Sequence, residues 1–275
     1  MFVRVVPEAV GMSHVPPNGG ENMDRPRVVI VGGGVAGLTA ATYTARTGFD
    51  TVVLTHGESI LRRNAHLENV PGFPAGVNPR LFADLLERQA ERNGARLEAG
   101  IVTTIESAEN GFRVRAELDG GEHRGLDAGS VIAASWADST YLEEFGSVGL
   151  VNRGSKTYVD IDDDGRTGLD GLYAAGRIAG AAHQTVVCAG HGADVALTLI
   201  HDSDVPFYHD WVAPEGYFTD RGRDVPPGCE EIGEAERRRR ERESMAVMTE
   251  AFETPHPDRP TMHPSLRDRD ADDEA

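Results

Sequence analysis

The residues with the clearest chemical spacing are three glycines near the start of the chain. Gly32, Gly34 and Gly37 form the pattern G-x-G-x-x-G, with Val35 and Ala36 before the last glycine. In such a motif the first glycine permits a tight turn, the second lets a pyrophosphate approach the backbone, and the third lets a helix pack closely on a strand. The free N–H groups at the start of that helix attract the anion. The spacing predicts a dinucleotide site, provided that a strand precedes it and a helix follows it.

The flanking sequence supplies that context. Residues 28–31 are an apolar, β-branched run, residues 35–47 are an alanine-rich helical stretch, and residues 51–54 are apolar again. This order is typical of a βαβ unit. An acidic residue at the end of the second strand is expected to bind the adenosine ribose. Thr55 stands at that position instead.

Further elements are indicated along the chain. Residues 79–94 have apolar side chains on one face, which predicts a helix. Residues 101–134 alternate between apolar and polar side chains, which predicts an antiparallel meander. Residues 157–161 predict one more strand and residues 186–200 another helix. The fold class predicted is α/β, a Rossmann-like FAD/NAD(P)-binding fold with a parallel sheet, a βαβ unit and an antiparallel meander.

Composition limits the possible partners and location. The 275 residues include 45 acids and 27 bases, and the formal net charge is −18. Such a surface repels nucleic acid and anionic membranes, and its single lysine, Lys156, is typical of proteins from salt-loving organisms. No apolar run is long enough to cross a bilayer, and no signal-peptide core is present, so we expect a cytoplasmic protein. The two cysteines, Cys188 and Cys229, lack metal-ligand spacing, and no metal site is predicted.

Several segments together resemble thioredoxin reductase and its low-molecular-weight flavoprotein relatives. In chain order they are VVIVGGGVAGLTAA, VVLTHGES, ENVPGFPAGV, LFADLLERQAERNGARL and TGLDGLYAAGR followed by HQTVVCAGHGADVA. The resemblance spans residues 27–200 and implies an FAD cofactor. It also implies a homodimer, as is common in that family.

The resemblance implies roles for individual residues. The glycine motif with Val35 and Ala36 binds the ADP half of FAD, and Thr55 takes the ribose position. Asn69 and Pro71 lie beside the flavin, and Gly176 passes under the ribitol chain. Gln184 and Thr185 supply backbone donors to the flavin pyrimidine edge, where a helix N-terminus favours the negative charge that develops on reduction.

Composition and apolar pattern divide the chain into three predicted regions. Residues 1–25 are predicted to be a mobile N-terminal arm, and residues 26–205 the FAD-binding domain. Residues 206–275 are predicted to be a peripheral C-terminal extension, partly helical and acidic at its end. Within it, residues 234–252 predict a solvated helix that touches the body through Met245, Met248 and Phe252, and a partner-binding helix is the alternative.

Two departures from the family pattern change the expected activity. Family members carry an inserted NADPH domain with a CxxC motif, whereas only residues 135–156 are free for it here, so ordinary thioredoxin reductase activity is not expected. Arg177 replaces an aspartate that accepts hydrogen bonds from the ribitol hydroxyls, and arginine has no acceptor. Two interpretations stay open. Arg177 binds the FAD phosphates, or it points to solvent and FAD binding is weakened.

Four side chains are candidates for proton or electron transfer. Cys188 falls in the first turn of the predicted helix, where the dipole would lower the thiol pKa and favour a flavin–thiol relay; the alternative is a small buried apolar residue. His183 and His191 flank the helix start and suit proton transfer, the alternative being helix-end histidines. Cys229, beside two prolines and a glycine, is expected to be more exposed and able to pair with Cys188 or with a partner.

The predicted function is an FAD-binding, thioredoxin reductase-like oxidoreductase. It would take electrons from a redox carrier protein or a small-molecule donor rather than through its own NADPH domain. The alternative is a non-enzymatic flavin- or nucleotide-binding protein that recognises a partner.

Overall fold

The computed structural model describes residues 25–143, 145–154 and 156–262. Its strands are β1 (Arg27–Val31), β2 (Asp50–Thr55), β3 (Arg96–Ala108), β4 (Gly111–Leu118), β5 (His123–Ala128), β6 (Ser130–Ala133), β7 (Leu150–Arg153), β8 (Lys156–Val159), β9 (Leu172–Ala174), β10 (Trp211–Pro214) and β11 (Cys229–Ile232). Its α-helices are α1 (Val35–Thr47), α2 (Pro79–Arg92), α3 (Thr185–His201) and α4 (Glu234–Ala251). The predicted α/β class with a Rossmann-like fold is confirmed.

A seven-stranded sheet in the order β5-β4-β3-β2-β1-β6-β9 forms the body of the protein. Strands β3, β2, β1, β6 and β9 pair in parallel, whereas β3, β4 and β5 pair antiparallel. The predicted meander is therefore wrong in its last strand, because β6 belongs to the parallel part beside β1. Val131, Ile132 and Ala133 of β6 are all 0% exposed, since both faces of the strand are covered.

The predicted helices of the body are present. Helix α1 occupies the predicted residues and ends at Gly48, whose φ of 101° is the left-handed conformation that stops a helix. Helix α2 begins after Asn78, whose side chain accepts hydrogen bonds from the backbone N–H groups of Arg80 and Leu81. Helix α3 begins at Thr185, one residue before the predicted start.

Strand β1 separates two hydrophobic clusters. Val29 and Val31 face the cluster formed with the antiparallel strands, and Val28 and Ile30 face the cluster formed with α1 and α3. Burying one such aliphatic side chain contributes about 1.5–3 kcal/mol relative to leaving it exposed. The alternation fixes the register of β1, and with it the position of the glycine motif that follows.

Residues 134–171 connect β6 to β9. They contain a 3-10 turn at Thr140–Leu142 and the antiparallel hairpin β7–β8, which accounts for the predicted strand at residues 157–161. Beyond α3, strands β10 and β11 pair in parallel around a small cluster that the sequence analysis missed, formed by Ala213, Phe218 and Cys229 with Trp211. The predicted arm lies almost wholly outside the described residues, as does the acidic end. No helix among the described residues is long and apolar enough to cross a bilayer.

Candidate functional site

A cavity of about 1100 Å³ opens at the carboxyl ends of β1, β2 and β6. Strand β1 lies between β2 on one side and β6 on the other, so the chain connections diverge at β1. The cavity lies at this point, where the strand order reverses. Ligands of open α/β sheets bind at such a point. Most of the predicted site residues line it, namely Gly32, Gly34, Val35, Ala36, Thr55, Asn69, Arg177, His183, Gln184, Thr185 and Cys188.

The glycine motif forms the turn between β1 and α1, and packing explains most of its glycines. Gly32 has a φ of +113°, and a Cβ there would lie 2.7 Å from the carbonyl oxygen of Ala134. A Cβ at Gly33 would lie 2.8 Å from Oγ1 of Thr55, and one at Gly37 only 2.0 Å from the carbonyl oxygen of Gly32. Each of these three positions excludes a side chain because the protein itself fills the space.

Gly34 is different, because no heavy atom lies within 4 Å of the Cβ that it lacks. Its φ of −82° and ψ of −176° are also accessible to other residues. Gly34 lines the cavity, so a side chain there would project into open space. The fold does not require glycine at this position, whereas a ligand lying against the backbone would.

Two helices begin at the cavity, and no side chain in the first turn of either helix neutralises its positive end. Gly34 is the N-cap of α1 and Gln184 is the N-cap of α3, and both residues line the cavity. Neither helix has a side-chain cap or an acidic residue in its first turn. The unpaired N–H groups and the positive helix ends therefore favour an anion or a polar ring edge in the cavity.

Three of the predicted cofactor-binding residues do not line the cavity. Gly37 and Gly176 act through packing: a Cβ on Gly176, whose φ is +74°, would lie 2.7 Å from Cβ of Ala36. Gly176 thereby lets the segment after β9 lie against the start of α1. Pro71 is exposed and lies outside the cavity lining. A place for it beside the flavin stays an expectation from the resemblance.

A hydrogen bond links two of the predicted flavin-side residues. Nδ2 of Asn69 donates to Oε1 of Gln184 at 2.9 Å. The bond joins the ENVPGFP segment to the start of α3, although the two residues are far apart in the sequence. It orients the Asn69 amide and the N-cap residue of α3 at the same edge of the cavity.

Arg177 is half-buried rather than pointing to solvent, and its binding to the FAD phosphates stays a prediction. One guanidinium nitrogen donates to the carbonyl oxygen of Ala181 and another donates to the Tyr158 hydroxyl at 3.2 Å. The group also lies between two rings, with its carbon 5.6 Å from the Trp136 centroid and 5.7 Å from that of Tyr158. Its Nε is buried without a hydrogen-bond partner among the described residues. Arg177 is thus a half-buried, stacked cation at the rim of the cavity.

The structure corrects the expectations for both cysteines. Burial raises the pKa of the Cys188 thiol. This effect outweighs the backbone hydrogen bond with Gln184 and the charge of Arg177, which both lower the pKa, so the thiolate is disfavoured. Its Sγ donates to the carbonyl oxygen of Ala182 at 3.5 Å. Cys229 is buried rather than exposed, and its Sγ donates to the carbonyl oxygen of His209 at 3.2 Å. Both cysteines are free.

The two histidines occupy different settings. His183 is exposed, and its ring centroid lies 4.6 Å from that of Trp136 in an edge-on contact. The pKa of His183 is lowered by desolvation of its ring and by the charges of Arg177 and Lys156. Nδ1 of His191 accepts a hydrogen bond from the backbone N–H of Gly176 at 3.1 Å, and burial lowers its pKa. His191 is therefore a neutral residue that supports the segment after β9.

The sequence analysis missed several residues that line the cavity. Trp136 follows β6. Oγ of Ser135 forms a hydrogen bond of 2.7 Å with the hydroxyl of the buried Tyr141. Burial raises the pKa of Tyr141, so its hydroxyl stays protonated. Glu58 lies three residues after Thr55 and lines the cavity, which places an acid near the position expected for ribose binding. A search a few residues beyond the end of β2 would have found Glu58, whereas no periodicity marks Trp136.

The part of the chain that contains the glycine motif matches a family of known proteins. A family described as FAD binding domain matches residues 27–65. Thioredoxin reductase from Aquifex aeolicus is 36% identical over 112 residues, which cover 40% of this chain and 33% of that protein. NADPH-dependent thioredoxin reductase 3 from Arabidopsis thaliana is 33% identical over 144 residues, covering 48% of this chain and 26% of that protein. The chain is similar to thioredoxin reductases.

Solved structures agree on the fold. Lactococcus lactis thioredoxin reductase in its FR conformation superposes with a TM-score of 0.55 at 15% identity, covering 65% of this chain and 99% of that one. Streptococcus pyogenes thioredoxin reductase gives the same TM-score at 13% identity, covering 65% of this chain and 99% of that one. The sequence matches, by contrast, span only 33% and 26% of the length of these two curated relatives.

The comparisons point to FAD as the cofactor of this thioredoxin reductase-like chain, and the cavity fits that group. The open space at Gly34 accommodates a pyrophosphate against the backbone, and two helix N-termini face the cavity. Thr55 and Glu58 offer oxygens near the end of β2, and the Asn69–Gln184 pair lies near the start of α3. Among the residues that the structure describes, no group of three potential metal ligands is assembled.

Proposed function

We propose that the chain is an FAD-dependent oxidoreductase of the thioredoxin reductase type. The observation that carries the proposal is Gly34, a cavity-lining glycine that the fold does not require and that a dinucleotide backbone contact would. FAD, when bound, supplies reversible two-electron chemistry. The start of α1 binds its phosphates, and the start of α3 provides N–H donors near Gln184 and Thr185.

The proposal includes electron supply from outside the chain, by a redox carrier protein or a small-molecule donor. Residues 134–171, which connect β6 to β9, contain a 3-10 turn and the β7–β8 hairpin. The two cysteines are not in a CxxC motif, and burial raises the pKa of both thiols. These features support a route that uses neither an inserted nucleotide domain nor an internal dithiol. A homodimer and a cytoplasmic location are part of the same proposal.

A second candidate function is non-enzymatic binding of FAD or another adenine nucleotide, with partner recognition as its role. It is favoured by Arg177, which replaces the ribitol-binding aspartate expected from the resemblance and donates hydrogen bonds from two of its nitrogens to Ala181 and Tyr158. It is also favoured by Cys188, whose raised pKa opposes a thiol relay.

Purification of the full chain at high salt tests the first part of the proposal. The protein should be yellow, with a visible spectrum of bound flavin, and heat should release FAD identified by mass spectrometry. Gly34→Val should bind FAD at least about tenfold more weakly, because its side chain fills the pyrophosphate space. Gly190→Ala is the matched control: it also adds a Cβ to open space, but outside the cavity lining. A colourless wild-type protein without FAD affinity contradicts the oxidoreductase and favours the second candidate function, as a protein that binds another adenine nucleotide.

Redox behaviour separates the two candidates. For the oxidoreductase, the bound flavin bleaches with dithionite and recovers when an acceptor is added, over many cycles without loss of FAD. NADPH alone should bleach it slowly or not at all. Flavin that stays oxidised with every donor, or that dissociates on reduction, favours the binding protein.

A further inference from the structure

A group of cations surrounds two aromatic rings at one rim of the cavity. We name it the rim cluster, and its members are Trp136, Arg153, Lys156, Tyr158 and Arg177. Nζ of Lys156 lies 5.0 Å from the Trp136 centroid, and Arg177 lies between the two rings. The guanidinium carbon of Arg153 lies 5.9 Å from the Tyr158 centroid. Aromatic rings hold cations in place without neutralising their charge.

No carboxylate among the described residues forms an ion pair with Arg153, Lys156 or Arg177. Other arginines of this acidic protein are paired, for example Arg46 with Asp210. Asp138 lines the same cavity, but its Oδ1 accepts hydrogen bonds from Thr140, at 3.0 Å from N and 2.6 Å from Oγ1. The rim cluster therefore keeps a net positive charge.

The rim cluster opens into the cavity as well as onto the surface. Trp136 and Arg177 line the cavity, as does His183, which contacts the edge of Trp136. The β7–β8 hairpin carries Arg153, Lys156 and Tyr158, so one short element supplies most of the cluster. In a chain of net charge −18, this is a local positive site beside the FAD pocket.

We infer that the rim cluster binds the anionic group, a carboxylate, sulfonate or phosphate, of a small electron donor or acceptor that enters the FAD cavity. The inference rests on the proposed function and names its substrate class. A small molecule fits because Trp136 and Arg177 line the cavity itself. Since the overall field of the protein repels anions, selectivity for one must come from such a local group of cations.

Calorimetric titration of the FAD-loaded full chain with two quinones tests this inference. One probe is naphthoquinone sulfonate and the other is uncharged naphthoquinone, both at one fixed ionic strength. The sulfonate should bind more tightly to the wild type. Lys156→Gln should weaken sulfonate binding by about threefold to tenfold and leave the neutral quinone unchanged. Lys156→Arg should retain the preference because it keeps the charge.

Arg221→Gln is the matched control. Arg221 also stacks on aromatic rings, 4.3 Å from the Tyr217 centroid, but it belongs to the C-terminal cluster and does not line the cavity. Equal affinity for the two quinones, no binding of either, or an equal loss of preference in Arg221→Gln overturns the inference. A chain without FAD affinity overturns the proposed function instead, and the same titration of that FAD-free protein still tests the rim cluster.

Discussion

Gly34 differs from its neighbours in what confines it. Gly32, Gly33 and Gly37 are fixed by contacts with Ala134, Thr55 and the turn itself, whereas Gly34 faces open space in the cavity. A sequence pattern treats these glycines alike. Only the three-dimensional surroundings separate the glycines that the fold needs from the one that a ligand needs.

A pair of glycines on α3 allows a controlled test of close helix packing. A Cβ on Gly192 would lie 2.2 Å from the carbonyl oxygen of Ala36, whereas one on Gly190 meets no atom within 4 Å. Gly192→Ala should therefore lower the free energy of unfolding by about 1–3 kcal/mol. Gly190→Ala should raise it by about 0.5–1 kcal/mol, because alanine is the better helix former. Denaturant titration measures both, and equal effects contradict the packing of α3 on α1.

His191 predicts a pH dependence of stability. Its Nδ1 accepts a hydrogen bond from Gly176, and burial holds its pKa below the usual value. The unfolded chain therefore takes up the proton first as pH falls. This contribution to stability is fully present above the unfolded pKa of about 6.5, and it declines as pH falls below that value toward the lowered folded pKa.

His191→Asn removes the titrating group and keeps an acceptor oxygen near the Nδ1 position. The difference in unfolding free energy between wild type and this variant should shift in favour of the variant between about pH 7.5 and pH 5.5. Parallel curves for the wild type and this variant would contradict a neutral, half-buried His191.

The cysteines should be slow to react in the native protein. Burial raises the pKa of both Cys188 and Cys229, and both are less than 10% exposed. With Ellman's reagent at neutral pH, Cys188→Ser and Cys229→Ser should each leave one thiol that reacts more slowly than free cysteine. Both thiols should react fully in denaturant. A fast native reaction of Cys188 would restore the thiol relay as a mechanism.

The side chains at the rim show where sequence information stops. The resemblance identified Arg177 as a departure, but its orientation is set by Trp136 and Tyr158, which come from separate segments. Likewise, the start of α3 suggested a reactive Cys188, whereas the bulk of neighbouring atoms decides its pKa. Local spacing located these residues, and long-range packing determined their chemistry.

At the scale of elements, α4 is held mainly by charge. None of its residues is buried, and Phe252, just after its last turn, stacks on Phe73 with centroids 6.2 Å apart. Ion pairs join it to α2, between Glu243 and Arg92 and between Glu250 and Arg88. Pairs within the helix give it local order.

Amide hydrogen exchange should therefore be faster in α4 than in α1 or α3. Glu243→Gln removes the pairing with Arg92 and should increase exchange in α4, with little change elsewhere. Glu253→Gln, which alters an exposed acid just beyond the helix, is the control and should leave the exchange pattern unchanged. Protection in α4 equal to that in α1 would mean that it is part of the cooperative core.

Elements with strong periodicity were predictable, and elements that depend on distant partners were not. Helix α1 has the predicted bounds because its alanines and its terminal glycine are local signals. Strand β6 was assigned to the wrong neighbours because its partner β1 lies about one hundred residues earlier in the sequence. Strands β10 and β11 have only 4 residues each, too few for an alternating pattern to reveal them.

For the whole molecule, the charge of −18 predicts that salt increases stability. Acidic groups repel one another in the compact state, and added salt screens that repulsion. The melting temperature should rise by about 5 °C or more between about 0.1 M and about 2 M KCl. Scanning calorimetry at neutral pH measures the change. A melting temperature that is flat or falls with KCl contradicts screening of repulsion between acidic groups.

The pairing of β1 with β6 has a consequence for the order in which the molecule assembles. Val28 lies opposite Ser130, and the carbonyl oxygen of Ala134 lies against the turn at Gly32. During synthesis about half of the chain must therefore leave the ribosome before β6 can join β1 and complete this side of the cavity. Such non-local pairing slows folding. We therefore expect FAD to bind after β6 has joined the sheet, and not to the βαβ unit alone. Binding of the coenzyme should then be one of the last steps of maturation.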